Sequence, residues 1–229
     1  TQDYTRIYQH FKGYHIKSES PVFTPNQFTM MDFRLSYKNS TSFTYILPFS
    51  ENEALIEYTF FTPYLTEETI YDEQLKKYIS EYLKLDAYEI LNEEQGIIPM
   101  TDFPFEKDNS AKITKIGTGG GWVKASTGYS FKHTEKKISK IIKNIKSGHK
   151  PSKDLFLRKY KFYDAIFLDV LARRNDKGEQ IFSKFYQKNS VEEIFAYLDE
   201  ETPFNEDLKI MFSLFDPEFI ISFFRKFRL

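Results

Sequence analysis

The chain has 229 residues, of which 41% are hydrophobic, so it can bury the core of one large domain or two small ones. Its 32 basic and 33 acidic side chains leave a net charge of -1 without a long block of either sign, and we expect no nucleic-acid partner. The lack of cysteine excludes disulfides, thiolate nucleophiles and thiolate metal ligands. The four histidines do not follow a zinc-binding spacing, so no metal site is expected.

Aromatic side chains are abundant, with 24 Phe and 16 Tyr beside a single Trp. Aromatic surface suits an apolar or conjugated ligand as well as a Phe-rich core, and composition alone favours the core. No apolar run approaches the roughly 18 residues of a membrane-spanning helix, and no basic-then-apolar leader opens the chain. We expect a chain that is neither exported by such a leader nor integral to a membrane.

The residue pattern of 7–62 predicts an antiparallel sheet, because runs of aromatic and β-branched residues are separated there by Pro, Asn, Ser and Gly. In the run SFTYIL, apolar and polar side chains alternate, which predicts one packed face and one face open to water or ligand. Such a face can form the floor of a substrate pocket. The expected strands are 11–16, 28–37, 42–47 and 54–61.

The remaining chain is predicted to be mostly helical, which makes the fold class α+β. Apolar residues at helical spacing predict an amphipathic helix over 67–85 that covers one side of the sheet. Two further strands are expected at 88–91 and 112–116. The later helices are expected at 129–145, 154–173, 179–187, 191–198 and 205–228.

A glycine-rich turn, GTGGG at 117–121, lies between the expected strand at 112–116 and the expected helix, which we place as early as Ser126. Glycines let a backbone approach a flat or phosphorylated ligand, and the amides and dipole of a helix start favour negative charge. The spacing matches neither GxGxxG nor a P-loop, so a structural loop and a ligand site are about equally supported by this turn alone.

Six short motifs occur in the order and approximate spacing typical of lycopene β-cyclases, particularly the bacterial flavoprotein type, and the chain resembles that family over essentially its whole length. Beyond about residue 150 the resemblance rests on helical character and on KFYD at 161–164. The motifs are QHFKG at 9–13, MDFR at 31–34, FTYILP at 43–48, LIEYT at 55–59, GIIPM at 96–100 and the glycine turn at 117–130.

The resemblance implies a fold related to the flavin hydroxylases, with a Rossmann-type domain for FAD and an antiparallel sheet for the substrate. The first βαβ unit with its GxGxxG motif lies upstream in that family, and we expect it to be absent from this chain. Residues 1–111 would then form the substrate-binding sheet and its covering helix. Residues 112–148 would form the second flavin-contacting strand, turn and helix, and residues 149–229 a helical C-terminal region.

The implied activity is conversion of linear lycopene to β-ring carotenoids, γ- or β-carotene, with reduced FAD, with NADPH as external reductant and without net redox change. Two other functions stay open: a flavin-dependent monooxygenase or dehydrogenase, and a non-catalytic carotenoid-binding module. The residues that the resemblance assigns to the cofactor are Gly117, Gly119, Gly120, Gly121, Thr127 and Gly128.

Glu57 is the acid/base that the resemblance implies, with Tyr58, Asp32 and Asp102 as weaker candidate partners. From the strand pattern alone, Glu57 would be an outward residue. The acidic pair of the family's Leu-Glu-Glu-Thr-like motif is Glu57-Tyr58 here, so only the first carboxylate is present. The proline of the family's second turn is replaced by Ala125.

Asp32 has an alternative role, because Asp32 and Arg34 flank Phe33 on one strand face and could form an exposed ion pair.

A carotenoid substrate dissolves in lipid, so we expect a cytoplasmic protein with peripheral contact at the inner face of the membrane. The last helix could provide that contact, and core packing is the alternative for its aromatic face. The residues concerned are Phe215, Phe219, Ile220, Phe223, Phe224 and Phe227 beside Arg225, Lys226 and Arg228.

Overall fold

The computed structural model describes residues 4–227 and confirms the α+β class, with a five-stranded antiparallel sheet and a mostly helical C-terminal part. The chain divides into two compact units. Residues 8–98 and 175–179 form the sheet unit, and the rest of the described chain forms the helical unit.

The sheet has the strand order β2-β3-β4-β1-β5, which places β4 between β3 and β1. Both neighbours pair antiparallel with β4. The strands are β1 Arg6–Ser18, β2 Thr29–Asp32, β3 Ser42–Pro48, β4 Glu53–Thr62 and β5 Tyr88–Thr101.

One face of the sheet packs under helix α1, Glu68–Glu81, as the sequence predicts. Successive strand residues point to opposite faces, so the even-numbered residues of β4 enter this core and the odd-numbered residues face away. Removing this apolar surface from water is what holds the helix on the sheet. The fully buried members of the core include Ile16, Ile56, Tyr58, Phe60, Leu75, Tyr78 and Ile79.

In the helical unit, a buried carboxylate joins the third and last helices. Asp169 accepts hydrogen bonds from the Ser222 hydroxyl at 2.7 Å and from Arg225 Nε at 3.2 Å. Such pairing satisfies a charge that would be costly to bury alone. The helices are α2 Phe131–Lys146, α3 Arg158–Arg173, α4 Gly178–Lys188, α5 Val191–Leu198, α6 Phe204–Ser213 and α7 Pro217–Phe227.

Two predicted strands are corrected. The strand predicted at 28–37 ends at Asp32, whose carboxylate accepts from the backbone N–H of Arg34 at 2.9 Å and so turns the chain. Residues 112–116 form no strand, because side chains take up their backbone donors. Asn109 Oδ1 accepts from the N–H of Lys115 at 2.8 Å, and Ser110 Oγ accepts from that of Ile113 at 3.1 Å.

Helix boundaries also differ from the prediction. The helix predicted over 205–228 is two helices, because Pro217 cannot continue α6 and Asp216 caps the next helix by accepting from the N–H of Glu218 at 3.0 Å. Residue 228 lies outside the described residues. The helix predicted from 154 begins at Arg158, since Asp154 has a positive φ of 54°.

Candidate functional site

The centre of the sheet carries the predicted acid. Glu57 lies on β4, opposite Tyr45 of β3 and Gly13 of β1, on the face turned away from α1. It is half-buried, and the Thr59 hydroxyl donates a hydrogen bond to Glu57 Oε1 at 2.5 Å. A carboxyl at this position therefore has a defined orientation and little water around it.

A second carboxyl, from Glu94 on β5, approaches Glu57 from across β1. It can do so because Gly13, on the strand between them, has no side chain. A Cβ added at Gly13 would lie 3.1 Å from Glu94 Cγ and 3.1 Å from Leu55 Cδ1. Glu94 was not predicted from the sequence, although a glycine inside a strand signals a close approach at that position.

These surroundings favour the neutral form of Glu57. Burial raises the pKa of Glu57 to about 7, the nearby Glu94 carboxyl adds to the rise, and the Thr59 hydrogen bond opposes it. Below about pH 7 the side chain is therefore a carboxylic acid that can donate a proton, and above it a carboxylate. A general acid is most effective when its pKa lies near the working pH.

Tyr58 and Asp32 lie on the opposite face of the sheet from Glu57. The Tyr58 hydroxyl is buried in the core, where it donates to Ser42 Oγ at 3.0 Å, and burial raises its pKa to about 12. Asp32 accepts from the Tyr78 hydroxyl at 2.5 Å and forms the ion pair with Arg34.

The Asp32 carboxylate is held in its charged form. Burial raises the pKa of Asp32, but the hydrogen bonds from Arg34 and Tyr78 outweigh burial and lower it below its usual value. The ion pair that the sequence suggested is thus present, with an exposed Arg34 and a shielded Asp32. Asp102 belongs to the helical unit and accepts from Lys226 Nζ at 2.6 Å. Catalytic roles for Tyr58, Asp32 and Asp102 stay predictions.

The glycine-rich turn belongs to the helical unit, and its glycines have two different environments. At Gly117 and Gly119 an added Cβ would meet nothing within 4 Å, so their backbone is open to approach. At Gly120 a Cβ would lie 2.4 Å from the Lys115 carbonyl oxygen, and at Gly121 it would lie 2.4 Å from Phe105. Internal packing therefore already requires Gly120 and Gly121.

The turn does not open a helix, which corrects the expected strand-turn-helix. Helix α2 begins at Phe131, and the segment before it is a separate turn in which the N–H of Gly128 donates to the Lys124 carbonyl at 2.9 Å. Gly128 has a φ of 75°, in the left-handed region that glycine tolerates best. The dipole of α2 therefore does not start at the 117–121 turn, because its effect is confined to the first turn of the helix.

A cavity of about 210 Å³ adjoins this part of the helical unit and is lined by consecutive residues from Gly121 to Ala125. Two buried polar atoms of this part of the chain, Trp122 Nε1 and, outside the cavity lining, Thr127 Oγ1, have no hydrogen-bond partner among the described residues. A buried donor without a partner is costly and is commonly satisfied by a ligand or water. This stretch therefore has the properties of a binding site for a polar, partly flat molecule.

A buried charge cluster fixes the same stretch. Lys124 is fully buried, with its Nζ 3.0 Å from Asp164 Oδ1 and 3.4 Å from Glu200 Oε1. The Ser126 hydroxyl donates to the same oxygen, Asp164 Oδ1, at 2.7 Å. Burial lowers the pKa of Lys124, but the two carboxylates outweigh burial and raise it. Lys124 is thus a charged tether between the turn, α3 and the loop after α5.

The protein is thus of the α+β class, with a half-buried carboxyl of raised pKa on a sheet face and a glycine-rich turn in the helical unit. The sequence matches the family described as lycopene cyclase protein over residues 1–226, and the chain belongs to that family. The family supports a lycopene cyclase-like function and a carotenoid substrate in general terms. No curated protein matches the chain.

We predict that Lys124→Gln destabilises the helical unit by about 3–5 kcal/mol, because it leaves Asp164 and Glu200 buried without their cation. Trp122 is the sole tryptophan and lies beside the substitution, so urea unfolding followed by tryptophan fluorescence measures the effect. The control is Lys115→Gln, which removes a more exposed ion pair to Asp108 and should cost less than about 1 kcal/mol. Equal losses for both variants would contradict the tethering role.

Proposed function

We propose that this protein is a lycopene β-cyclase, which closes the ends of linear lycopene into β-rings by acid–base chemistry without net redox change. The observation that supports this most strongly is Glu57, a half-buried carboxyl whose pKa is raised to about 7. Protonation of an alkene needs an acid that still holds its proton near neutral pH. An unperturbed Glu, with a pKa of about 4.3, would have lost it.

In the proposed reaction, one proton is donated to the substrate and one proton is recovered from it. Glu57 donates its proton to the terminal double bond of the polyene, and the electron pair of that bond forms the new C–H bond. The resulting carbocation accepts the electrons of a second double bond, which forms the ring carbon–carbon bond. A ring proton then leaves to a carboxylate, and its C–H electrons form the ring double bond. The acid is restored and no electron is gained or lost.

The sheet face around Glu57 suits a polyene and its cation. Phe43, Tyr45, Leu55 and Phe61 lie on the same face of β3 and β4, and the rings of Phe43 and Phe61 meet edge to face at 5.2 Å. An apolar wall excludes water that would trap a carbocation, and aromatic ring faces attract positive charge. We propose that this face binds one end of the substrate.

We propose reduced FAD as the cofactor, with NADPH as the external reductant that keeps it reduced. The residues present in the helical unit fit such a group. Gly117 and Gly119 leave their backbone open to a flat ring, and the unpartnered Trp122 Nε1 and Thr127 Oγ1 can hydrogen-bond to its heteroatoms. When bound, a reduced flavin would supply negative charge, and negative charge stabilises a carbocation electrostatically.

We propose a cytoplasmic location with peripheral binding to the inner face of the membrane, where a lipid-soluble substrate is found. Among residues 4–227, no helix has the length and apolar character to cross a bilayer. Helix α7 exposes Phe223, Phe224 and Phe227, with Arg225 also exposed beside them. Lys226, which the sequence suggested as a second lipid-facing cation, instead binds Asp102. Exposed aromatic rings beside an exposed cation are typical of interfacial helices.

We predict that Glu57→Gln folds but loses cyclisation by about two orders of magnitude or more, because the amide has no proton to transfer. Glu57→Asp should retain part of the activity. Conversion of lycopene in vesicles with reduced FAD measures both. The matched control is Glu53→Gln, on the same strand face, whose carboxyl binds His15 at 2.7 Å and should leave the rate unchanged. An unchanged rate in a folded Glu57→Gln variant would exclude Glu57 as the acid.

We predict that replacing Phe223 and Phe224 together by Ser lowers binding to anionic vesicles about tenfold or more, because two exposed rings no longer enter the lipid. Vesicle co-sedimentation measures the change. Phe131→Ser is the control, since Phe131 is also exposed but lies on α2. If the double variant sediments with vesicles as wild type does, α7 is not the membrane contact.

A further inference from the structure

The pair formed by Glu57 and Glu94 extends the proposed function beyond a single acid. The two carboxyls come from β4 and β5, which are separated by β1 in the sheet. Side chains on alternate strands are normally too far apart to interact, because neighbouring strands are spaced about 4.8 Å apart. An interaction across an intervening strand therefore needs a special arrangement at that strand.

Gly13 provides this arrangement. It is paired directly with Glu57 in the β1–β4 register, and the position of its missing Cβ is 3.4 Å from Glu94 Oε1. A side chain at residue 13 would occupy the space through which Glu94 reaches. Glycine weakens a strand by about 0.5–1 kcal/mol relative to alanine, so it is a costly choice in the middle of a long strand.

The other described ionisable groups around the pair, within residues 4–227, do not neutralise it. Tyr45 faces Glu57 from β3, and burial raises its pKa with a further contribution from the charge of Glu57. His15, on the same face of β1, is bound to Glu53. Lys12 points to the opposite face, where its Nζ is 2.5 Å from Asp72 and 3.3 Å from Glu93. Two carboxyls in contact without a bound cation cannot readily both ionise.

We propose that Glu94 is a positioning residue that shares one proton with Glu57 across Gly13, and so keeps Glu57 protonated until a polyene end is bound. This rests on the proposed function of Glu57. When Glu57 transfers the shared proton to the alkene, both carboxyls become negative and face the carbocation. The proton that leaves the ring then returns to the pair, so one proton cycles and no further reagent is consumed. Glu94 thereby supplies a second carboxylate that the LIEYT motif lacks.

The test is a titration of Glu57 without substrate. Carbon-13 NMR of protein labelled at the Glu carboxyl carbons gives the pKa of Glu57, with the signal assigned by its loss in Glu57→Gln. In Glu94→Gln we expect the pKa of Glu57 to fall by about one unit, because a neighbouring charge is removed and the new amide can donate to the carboxylate. Glu93→Gln is the matched control, since its side chain binds Lys12 on the other face, and it should leave the titration unchanged.

A second variant keeps the test decisive if Glu94→Gln is poorly folded. Gly13→Ala retains both carboxyls but displaces Glu94, and it should lower the pKa of Glu57 in the same direction. The alkaline limb of the pH–activity profile should move by the same amount as the titration, whereas a merely structural role would lower activity at every pH. A Glu57 titration identical to wild type in both variants would overturn the proposal. Because the NMR titration needs no substrate, it decides on the pair even if the protein does not cyclise lycopene.

Discussion

Withdrawal of the Glu57 carboxyl from water is the constraint on which the proposed chemistry depends. An exposed glutamate on a strand would be ionised and could accept a proton but not give one. At the centre of β4, between two paired strands, its charged form loses hydration, while Thr59 supplies a single hydrogen bond. The sheet therefore serves as more than a scaffold, because the central position of Glu57 raises its pKa and so favours the protonated carboxyl. Gly13 is part of the same arrangement, since it admits a second carboxyl where a larger residue would exclude it.

The helical unit also buries an ionisable side chain, but there the charged form is favoured. There a fully buried cation, Lys124, is compensated by Asp164 and Glu200, so its charge is retained. The effect is to hold the 122–129 stretch in place while Trp122 Nε1 and Thr127 Oγ1 are left without partners. A rigid backbone with unused hydrogen-bonding atoms is pre-organised for a ligand, because little ordering is lost on binding. Compensated charges thus hold the turn of the helical unit in place, whereas the sheet favours the uncharged form of Glu57.

Local sequence patterns predicted the parts of the fold that depend on local physics. Alternation in 42–47 and helical spacing in 67–85 indicated a sheet covered on one face by a helix, and the structure confirms both. The strand expected at 112–116 fails because the side chains of Asn109 and Ser110 bind its backbone, a competition that strand propensity does not include. The prediction of one long last helix is wrong at Pro217, and this proline was by itself a sufficient local signal that the preceding helix ends.

The candidate site was also only partly predictable, because local sequence patterns do not report contacts that depend on the order of strands in the sheet. Glu57 could be singled out from its motif, and the Asp32–Arg34 pair from spacing on one strand. That Tyr58 and Asp32 point away from Glu57 follows from strand alternation and register. Glu94 could not be assigned, because its contact depends on the order of strands in the sheet, which is a long-range property.

In the proposed reaction, a proton from an exchangeable carboxyl enters the product and no electrons are consumed. Mass spectrometry of the product formed from lycopene in heavy water tests this directly. We expect a product with the same elemental composition as lycopene when the reaction runs in ordinary water, and one with a single deuterium for each ring closed when it runs in heavy water. A product that has gained an oxygen atom or lost two hydrogens would instead show monooxygenase or dehydrogenase chemistry, and a ring without deuterium would exclude the acid-initiated route.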